Sequence, residues 1–390
     1  MTATLALAAP DLSDAALAAV TAELAATAEE YDRSGAVPTA GIAAVHRAGL
    51  LTATVAERYG GPAVSPVDVV RILIALGQGD PSVALLVANT LNTHQGQAAA
   101  GHWPEATYAE VVRRSAAGPT LLNAIRAEPE LGAPARGGLP ATVARRTADG
   151  WSLSGHKAYA TGGAALAYHV VWAVADEPDR AGEPRVGHLL VPGDAPGISW
   201  LDTWDHLGLR ASNTHDVVYD EVALPADAFV EIPRVDGVYR DPAATAGLAS
   251  FGHPALYVGV ARAARSAFVR YARERVPTAL GRPIAETERI QAVAGEIDAQ
   301  IAQAETLLFG VLLRAGAGDT AHLPQLSLLK VQIARSAVAA VQTAVAALGN
   351  PALTRHQPFE RHLRDVLCVR VHPPQEDAAL LAAGRRLLLG

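Results

Sequence analysis

Two histidines stand where this chain concentrates groups able to do chemistry. His372 closes the run Arg364-Asp365-Val366-Leu367-Cys368-Val369-Arg370-Val371-His372 and is followed by Pro373, whose side chain cannot titrate. His94 ends the polar stretch Asn89-Thr90-Leu91-Asn92-Thr93-His94. Imidazole donates and relays a proton near neutral pH, so each is a candidate for proton-transfer chemistry. His253 and His215 are further candidates, and Asn92 either orients a substrate or bonds helix-end backbone. The chain has thirteen histidines, so an ordinary core or surface role stays open for each. A second cluster, Leu153-Ser154-Gly155-His156-Lys157-Ala158-Tyr159-Ala160-Thr161-Gly162-Gly163, sets an aromatic ring and a hydroxyl two residues apart, on one side of a strand. The single cysteine, Cys368, excludes an internal disulfide and a Cys-based metal site, and no metal site is expected. Gly60-Gly61 is not a phosphate loop, and no Gly-x-Gly-x-x-Gly follows a strand, so the chain has no NAD(P) site of its own.

The elements that must position these residues fall into three parts. From Ser13 to about Arg114 the apolar period is helical. Ser13-Asp14 caps Ala15 to Ser34, a second helix runs from Pro38 to Ala48, Pro66 opens a third, and Asp80-Pro81-Ser82 begins a fourth. From about Pro119 to Val230 short strands alternate with Gly, Pro and Asp. Thr142–Thr147 and Trp151–Ser154 flank Asp149-Gly150, a hairpin turn pair, and the pattern predicts a small barrel or sandwich. From about Ala243 the helical period returns in Ala246–Arg275, Ile284–Ala315, Leu326–Leu348 and Asp377–Leu388, which predicts a bundle. The expected units are 1–117, helical; 118–232, a β-barrel; and 233–390, a four-helix bundle. A formal charge of −7 without a basic run argues against nucleic acid. Val331 to Leu348 carries Gln332, Arg335 and Gln342, so it reads as a buried bundle helix and not a membrane span. A cytoplasmic protein without a secretory signal is the expectation.

That order, with three motifs in sequence, resembles the acyl-CoA dehydrogenase superfamily over essentially the whole chain. Glu128-Pro129-Glu130-Leu131-Gly132 is similar to its Thr-Glu-Pro-x-x-Gly-Ser loop, with Ala127 and Ala133 replacing the flanking Thr and Ser. The Leu153–Gly163 cluster resembles its Gly-x-Lys-x-x-Ile-Thr-Asn segment, and Leu207-Gly208-Leu209-Arg210-Ala211-Ser212-Asn213-Thr214 its Gly-x-Arg-x-Ser-x-Thr strand pair. The resemblance implies an N-terminal helical domain, a middle β domain and a C-terminal four-helix bundle, with a flavin between the last two. It implies cofactor contacts from Tyr159, Thr161, Gly162, Glu128, Arg210 and Ser212, with Thr161 bonding flavin O4 and N5 and Tyr159 lying against the ring.

The departures from the family point to the chemistry. Relatives abstract a proton from an acyl thioester with a carboxylate in the loop after the Arg-Asp segment or on the first bundle helix. Here those places hold Pro373 and Ala249, the latter followed by Ser250. A register shift to Glu376 would restore a base, although Glu376 and Asp377 read better as the acidic start of a helix. Pro277 replaces an arginine that clamps the FAD pyrophosphate in relatives, so FMN is as acceptable as FAD unless Arg273, Arg275 or Arg282 compensates. With His372 beside the lost base and His94 in the N-terminal domain, the chain resembles the two-component monooxygenases of this fold. These take reduced flavin from a separate reductase and use O2 through a C4a-hydroperoxide, on aromatic sulfur compounds, phenols or amines. The resemblance therefore implies a small apolar or aromatic substrate in a pocket formed by Asn92, Phe251 and His253, and a homotetramer or homodimer. Arg364 and Asp365 are expected to pair and fix the loop that carries His372. Two other readings stay open: an acyl-CoA dehydrogenase with a displaced base, and a flavin-free scaffold without catalysis.

Overall fold

The computed structural model describes residues 7–131, 138–177, 182–241, 251–319 and 321–389. Five helices open the chain: α1 Asp14–Ser34, α2 Thr39–Arg47, α3 Pro66–Gly79, α4 Pro81–Ala100 and α5 Glu105–Ala117. Their starts follow the capping chemistry. Ser13 accepts from the Ala16 amide, and the Asp80 carboxylate accepts from the amides of Ser82 and Val83, each satisfying donors that have no partner within the helix.

The middle region is a sheet of β1 Leu121–Ile125, β2 Val143–Arg146, β3 Gly150–Ala160, β4 Leu166–Asp176, β5 Val186–Pro192, β6 Ile198–Leu201, β7 His215–Pro225 and β8 Phe229–Glu231. Strand order is β6-β7-β3-β2-β4-β5-β8, with β1 lying parallel to β4. The turn at Asp149-Gly150 sets the β2–β3 register, Arg146 facing Trp151. Edge strands β6 and β8 are not paired with each other, so the sheet is open along that seam among the described residues.

Helices resume with α6 Gly252–Glu274, α7 Glu288–Gly316, α8 Leu326–Leu348, the short α9 Asn350–Leu353, α10 Phe359–Leu367 and α11 Glu376–Leu389. The expected bundle start at Ala246 lies partly outside the described residues, as do Ala249 and Ser250. By length and composition Leu323–Leu348 could cross a membrane, but α8 packs against α6 and α7 and over half of its apolar window is buried. One core, running through Leu24, Leu73, Leu86, Val217, Phe268 and Val341, joins the three regions. The joint is tightest where α3 meets α6. A Cβ on Gly77 would sit 2.1 Å from the Leu256 carbonyl oxygen, and one on Gly259 would sit 2.3 Å from that of Ile74. Backbone touches backbone at this crossing, and only glycine fits.

The Arg364–Asp365 expectation needs correction. Arg364 instead donates to both Asp32 carboxylate oxygens, at 2.9 and 2.6 Å, and to Glu360 at 2.7 Å. Asp365 turns the other way and accepts from the Leu209 amide at 2.8 Å. The two side chains tie α10 to α1 and to the loop before β7, because neighbours on a helix point in different directions.

Candidate active site

A cavity of about 920 Å³ lies where α4, the end of β3, the 204–209 loop, the start of α6 and the segment after α10 converge. β3 ends at this cavity with a backbone reversal. Tyr159 has φ of 58°, and the residue is 65 % exposed and lines the cavity. Such a φ is unusual for a non-glycine residue and is held here because the Thr161 amide donates back to the Tyr159 carbonyl at 2.9 Å. The Thr161 carbonyl accepts from the Asn123 amide group at 3.1 Å, and its hydroxyl accepts from Thr214 at 3.1 Å. Thr214 in turn pairs with Ser212 at 2.7 Å. Gly162 follows at φ 107° and donates its amide to the Ser212 carbonyl at 2.9 Å. An open aromatic face thus stands beside a hydroxyl fixed by a chain of buried hydroxyls. This donor set and a wall of this size fit the ring of a flavin, with Tyr159 beneath it and Thr161 at its polar edge.

Three residues assigned to the cofactor lie elsewhere. Glu128 is buried and holds the β2–β3 hairpin. It accepts from Lys157 Nζ at 2.8 Å, from the Thr142 hydroxyl at 2.6 Å and from the Ala141 amide at 2.7 Å. Burial alone would raise its pKa, but the Lys157 ammonium and these donors outweigh it and keep the carboxyl below its ordinary value. A carboxylate saturated by protein donors has nothing left for a ligand. Arg210 donates to the carbonyls of Asp32 at 2.9 Å and His206 at 3.3 Å, joining α1 to the 204–209 loop away from the cavity. Arg282 is exposed, 3.7 Å from Glu286, and does not line the cavity of this chain. Ser212 and Gly162 act one step back, through Thr214 and Thr161.

The histidines divide in the same way. His372 lines the cavity, with Nε2 2.6 Å from the hydroxyl of Tyr257 on α6. Tyr257 is fully buried, and burial pushes its pKa well above the ordinary value, so it keeps its proton. No other partner for that hydroxyl is found among the described residues; donation to His372 Nε2 satisfies it and leaves the imidazole proton on Nδ1. Burial first, then the charges of His253, Lys330 and His206, hold the His372 pKa well below its ordinary value, so the ring is neutral. His253 also lines the cavity, 5.0 Å from His372 ring to ring, and donates from Nε2 to Asn89 Oδ1 at 3.2 Å. Its pKa is pushed down to about 4, by burial and then by Lys330.

His94 does not reach the cavity. It is buried beneath α5, with Nδ1 2.8 Å from the Tyr108 hydroxyl. Asn89 faces the cavity, and a residue five positions further along a helix points roughly 140° away from it. Asn92 and Phe251 are corrected too. Asn92 lies one turn beyond Asn89, and Phe251 is buried in the core; neither lines the cavity. His215 is structural: its Nδ1 accepts the amides of Thr203 and Trp204, both at 3.2 Å.

Three cavity residues carry no motif that marks them in the sequence: Asn89, Asn123 and His206, which stacks on Trp204 at 4.3 Å and lines the cavity with it. Equally unmarked is a polar lobe where Asp241 accepts from His188 Nε2 at 2.8 Å and pairs with Arg126. Asp241 is the one carboxylate on the cavity wall among the described residues. Glu376, the alternative base, is not on that wall and is ion-paired with Arg335. Pro373 lines the cavity as expected.

A helical domain, a sheet and a helical bundle around a pocket with an aromatic-plus-threonine wall define a flavoenzyme of the acyl-CoA dehydrogenase type. The sequence matches the three parts of that family in order: acyl-CoA dehydrogenase N-terminal domain over residues 10–101, middle domain over 124–222 and C-terminal domain over 248–375. The chain belongs to the acyl-CoA dehydrogenase family. It is 30 % identical over 361 residues to the putative acyl-CoA dehydrogenase YdbM of Bacillus subtilis (strain 168), covering 92 % of each chain. It is 31 % identical over 370 residues to L-evernosamine nitrososynthase of a Micromonospora species, covering 90 % of this chain and 83 % of that one. Among solved structures it superposes with a TM-score of 0.80 on KijD3 in complex with FMN and dTDP-3-amino-2,3,6-trideoxy-4-keto-3-methyl-D-glucose. That match is 28 % identical and covers 99 % of this chain and 96 % of that one.

Proposed function

We propose that this protein is a flavin-dependent monooxygenase that takes reduced FMN or FAD from a separate reductase and oxygenates a small apolar or aromatic substrate. The observation that carries the reading is a neutral, Tyr257-bonded imidazole at the cavity wall, beside Pro373, where the family's dehydrogenases place a carboxylate. When bound, reduced flavin supplies two electrons to O2, so that one oxygen atom goes to the substrate and the other leaves as water. Tyr159 would support the flavin ring, and Thr161, steadied by Asn123 and Thr214, would bond its polar edge. With Tyr257 bonded to Nε2, His372 keeps its proton on Nδ1 and can donate a hydrogen bond from that nitrogen. Asn89 fixes His253, and the stacked rings of Trp204 and His206 line the cavity with Leu209. Similarity to L-evernosamine nitrososynthase and to KijD3 supports the oxygenase reading and admits amines as substrates. The reading includes a cytoplasmic homotetramer or homodimer.

Stopped-flow mixing of the reduced-flavin complex with oxygen tests it. A near-ultraviolet transient between the reduced and oxidised spectra is expected, with a lifetime about tenfold shorter in His372→Ala. A wild-type protein that oxidises in one step, with no transient, would sink the proposal.

Similarity to YdbM favours a second reading, an acyl-CoA dehydrogenase. Its base would have to come from outside the described cavity wall or from Asp241, which His188 and Arg126 already hold. Rapid anaerobic bleaching of bound oxidised flavin by an acyl-CoA would select this reading instead.

A further inference from the structure

The loop that carries His372 has an unusual anchoring problem. It follows α10 and a tight turn over Cys368–Val371, so its carbonyls have lost the helical partners that would satisfy them. Pro373 and Pro374 come next, and neither has an N–H to donate. The segment around His372 can therefore be held chiefly through its carbonyl oxygens.

Lys330 does this from the second turn of α8. Only 5 % exposed, it sends Nζ to the carbonyl of His372 at 2.7 Å and that of Pro374 at 3.1 Å, with Val369 at 3.5 Å. An ammonium has three donors and no acceptor, and three carbonyls of one loop converge on it. Nothing in the packing of α8 requires a lysine here, because Val331, Ile333 and Ala334 beside it are ordinary core residues.

We infer that Lys330 is the positioning residue of the site, gripping the His372 loop by its carbonyls and so fixing where the imidazole points. The inference deepens the oxygenase reading and rests on it for the role of His372; the grip itself does not depend on it. A second effect has the same origin. The Lys330 charge helps hold both His372 and His253 below their ordinary pKa, so removing it should make both easier to protonate. Other groups bear on this titration. His253 and Tyr257 face His372 from α6, and His206 acts from the 204–209 loop. Glu376 of α11 favours the charged form of Lys330 itself.

The test compares wild type, Lys330→Met and Lys330→Arg, with His372→Gln to assign the imidazole resonance. In Lys330→Met the His372 pKa read by NMR should rise by about half a unit or more. Amide exchange across Val369–Gln375 should quicken by about tenfold. FMN affinity should stay within about twofold, because Lys330 is not on the flavin wall. Lys330→Arg, keeping charge and donors, should recover most of both effects. A folded Lys330→Met with unchanged His372 titration and unchanged loop exchange would overturn the inference. If Lys330→Met does not fold, wild-type exchange settles it. Burial brings the Lys330 pKa to about 8, below the value it regains when the loop opens, so loop protection should rise between about pH 8 and 10.5 after correction for base catalysis. Protection that is flat over that range would refute the grip. These readouts need no oxygen chemistry, so an absent near-ultraviolet transient in wild type would remove the oxygenase reading and leave the Lys330 result standing.

Discussion

The Tyr257–His372 contact gives a single residue control over which nitrogen carries the imidazole proton. Neither partner is charged at neutral pH: burial raises the phenol's pKa and lowers that of the imidazole. The pair is therefore a neutral hydrogen bond whose direction follows from the one proton the phenol must place. Tyr257→Phe removes that constraint and frees Nε2 to take the proton. The expected result is a stability loss of about 1–3 kcal/mol by chemical denaturation, since His372 Nε2 loses its partner. Flavin affinity should change less than about twofold, while any oxygen-dependent transient shortens by about tenfold. A Tyr257→Phe protein with wild-type transient lifetime would show that the phenol does not set the tautomer.

Helix α6 is the element on which the site depends, because it carries both His253 and Tyr257 and is seated against α3 by two glycines. A methyl group at Gly77 would meet the Leu256 carbonyl at 2.1 Å, one residue before Tyr257 in the chain. Backbone cannot rotate out of the way as a side chain can, so the helices must move apart. Gly77→Ala should cost about 1–3 kcal/mol or more in a denaturation series, although alanine is the better helix former. Gly295, exposed on α7 with nothing near its missing Cβ, provides the opposite case. Gly295→Ala should gain about 0.5–1 kcal/mol. Equal effects from the two substitutions would show that the α3–α6 crossing is looser than the structure indicates.

The whole molecule buries several imidazoles, and its stability should show it. Burial brings His94, His169 and His253 to about 4 and His362 to about 3, with His188 and His372 shifted the same way. Unfolded histidine takes up its proton near pH 6.5, so these groups contribute fully above that pH. Their contribution fades as pH falls from about 6.5 through about 4, at up to ~1.4 kcal/mol per pH unit for each group. Asp80 and Asp365 act in the opposite sense, since burial raises them to about 6 and about 7, but the histidines outnumber them. The apparent Tm should therefore drop between about pH 7 and pH 4.5. A melting temperature that is flat or rising on acidification would mean that these imidazoles are not buried in the neutral form.

Local chemistry was readable from the chain alone. Ser13 and Asp80 announce helix starts because a short polar side chain can satisfy amides at a helix end, and Asp149-Gly150 marks a turn its neighbours confirm. The absence of a carboxylate at Pro373, with His372 beside it, is likewise a matter of residue identity. Depth and direction were not readable. Asn89 and Asn92 share a helical face one turn apart, so only the crossing of α4 over the pocket decides that Asn89 reaches it. Glu128 looked like a ligand group until folding placed Lys157 and Thr142 around it. Lys330 reaches the His372 carbonyl across 42 residues of chain, and Arg126, His188 and Asp241 meet from three separate segments. Periodicity and capping act over one or two turns, which is why they show in a sequence. Contacts across such separations exist only once the core has closed around them.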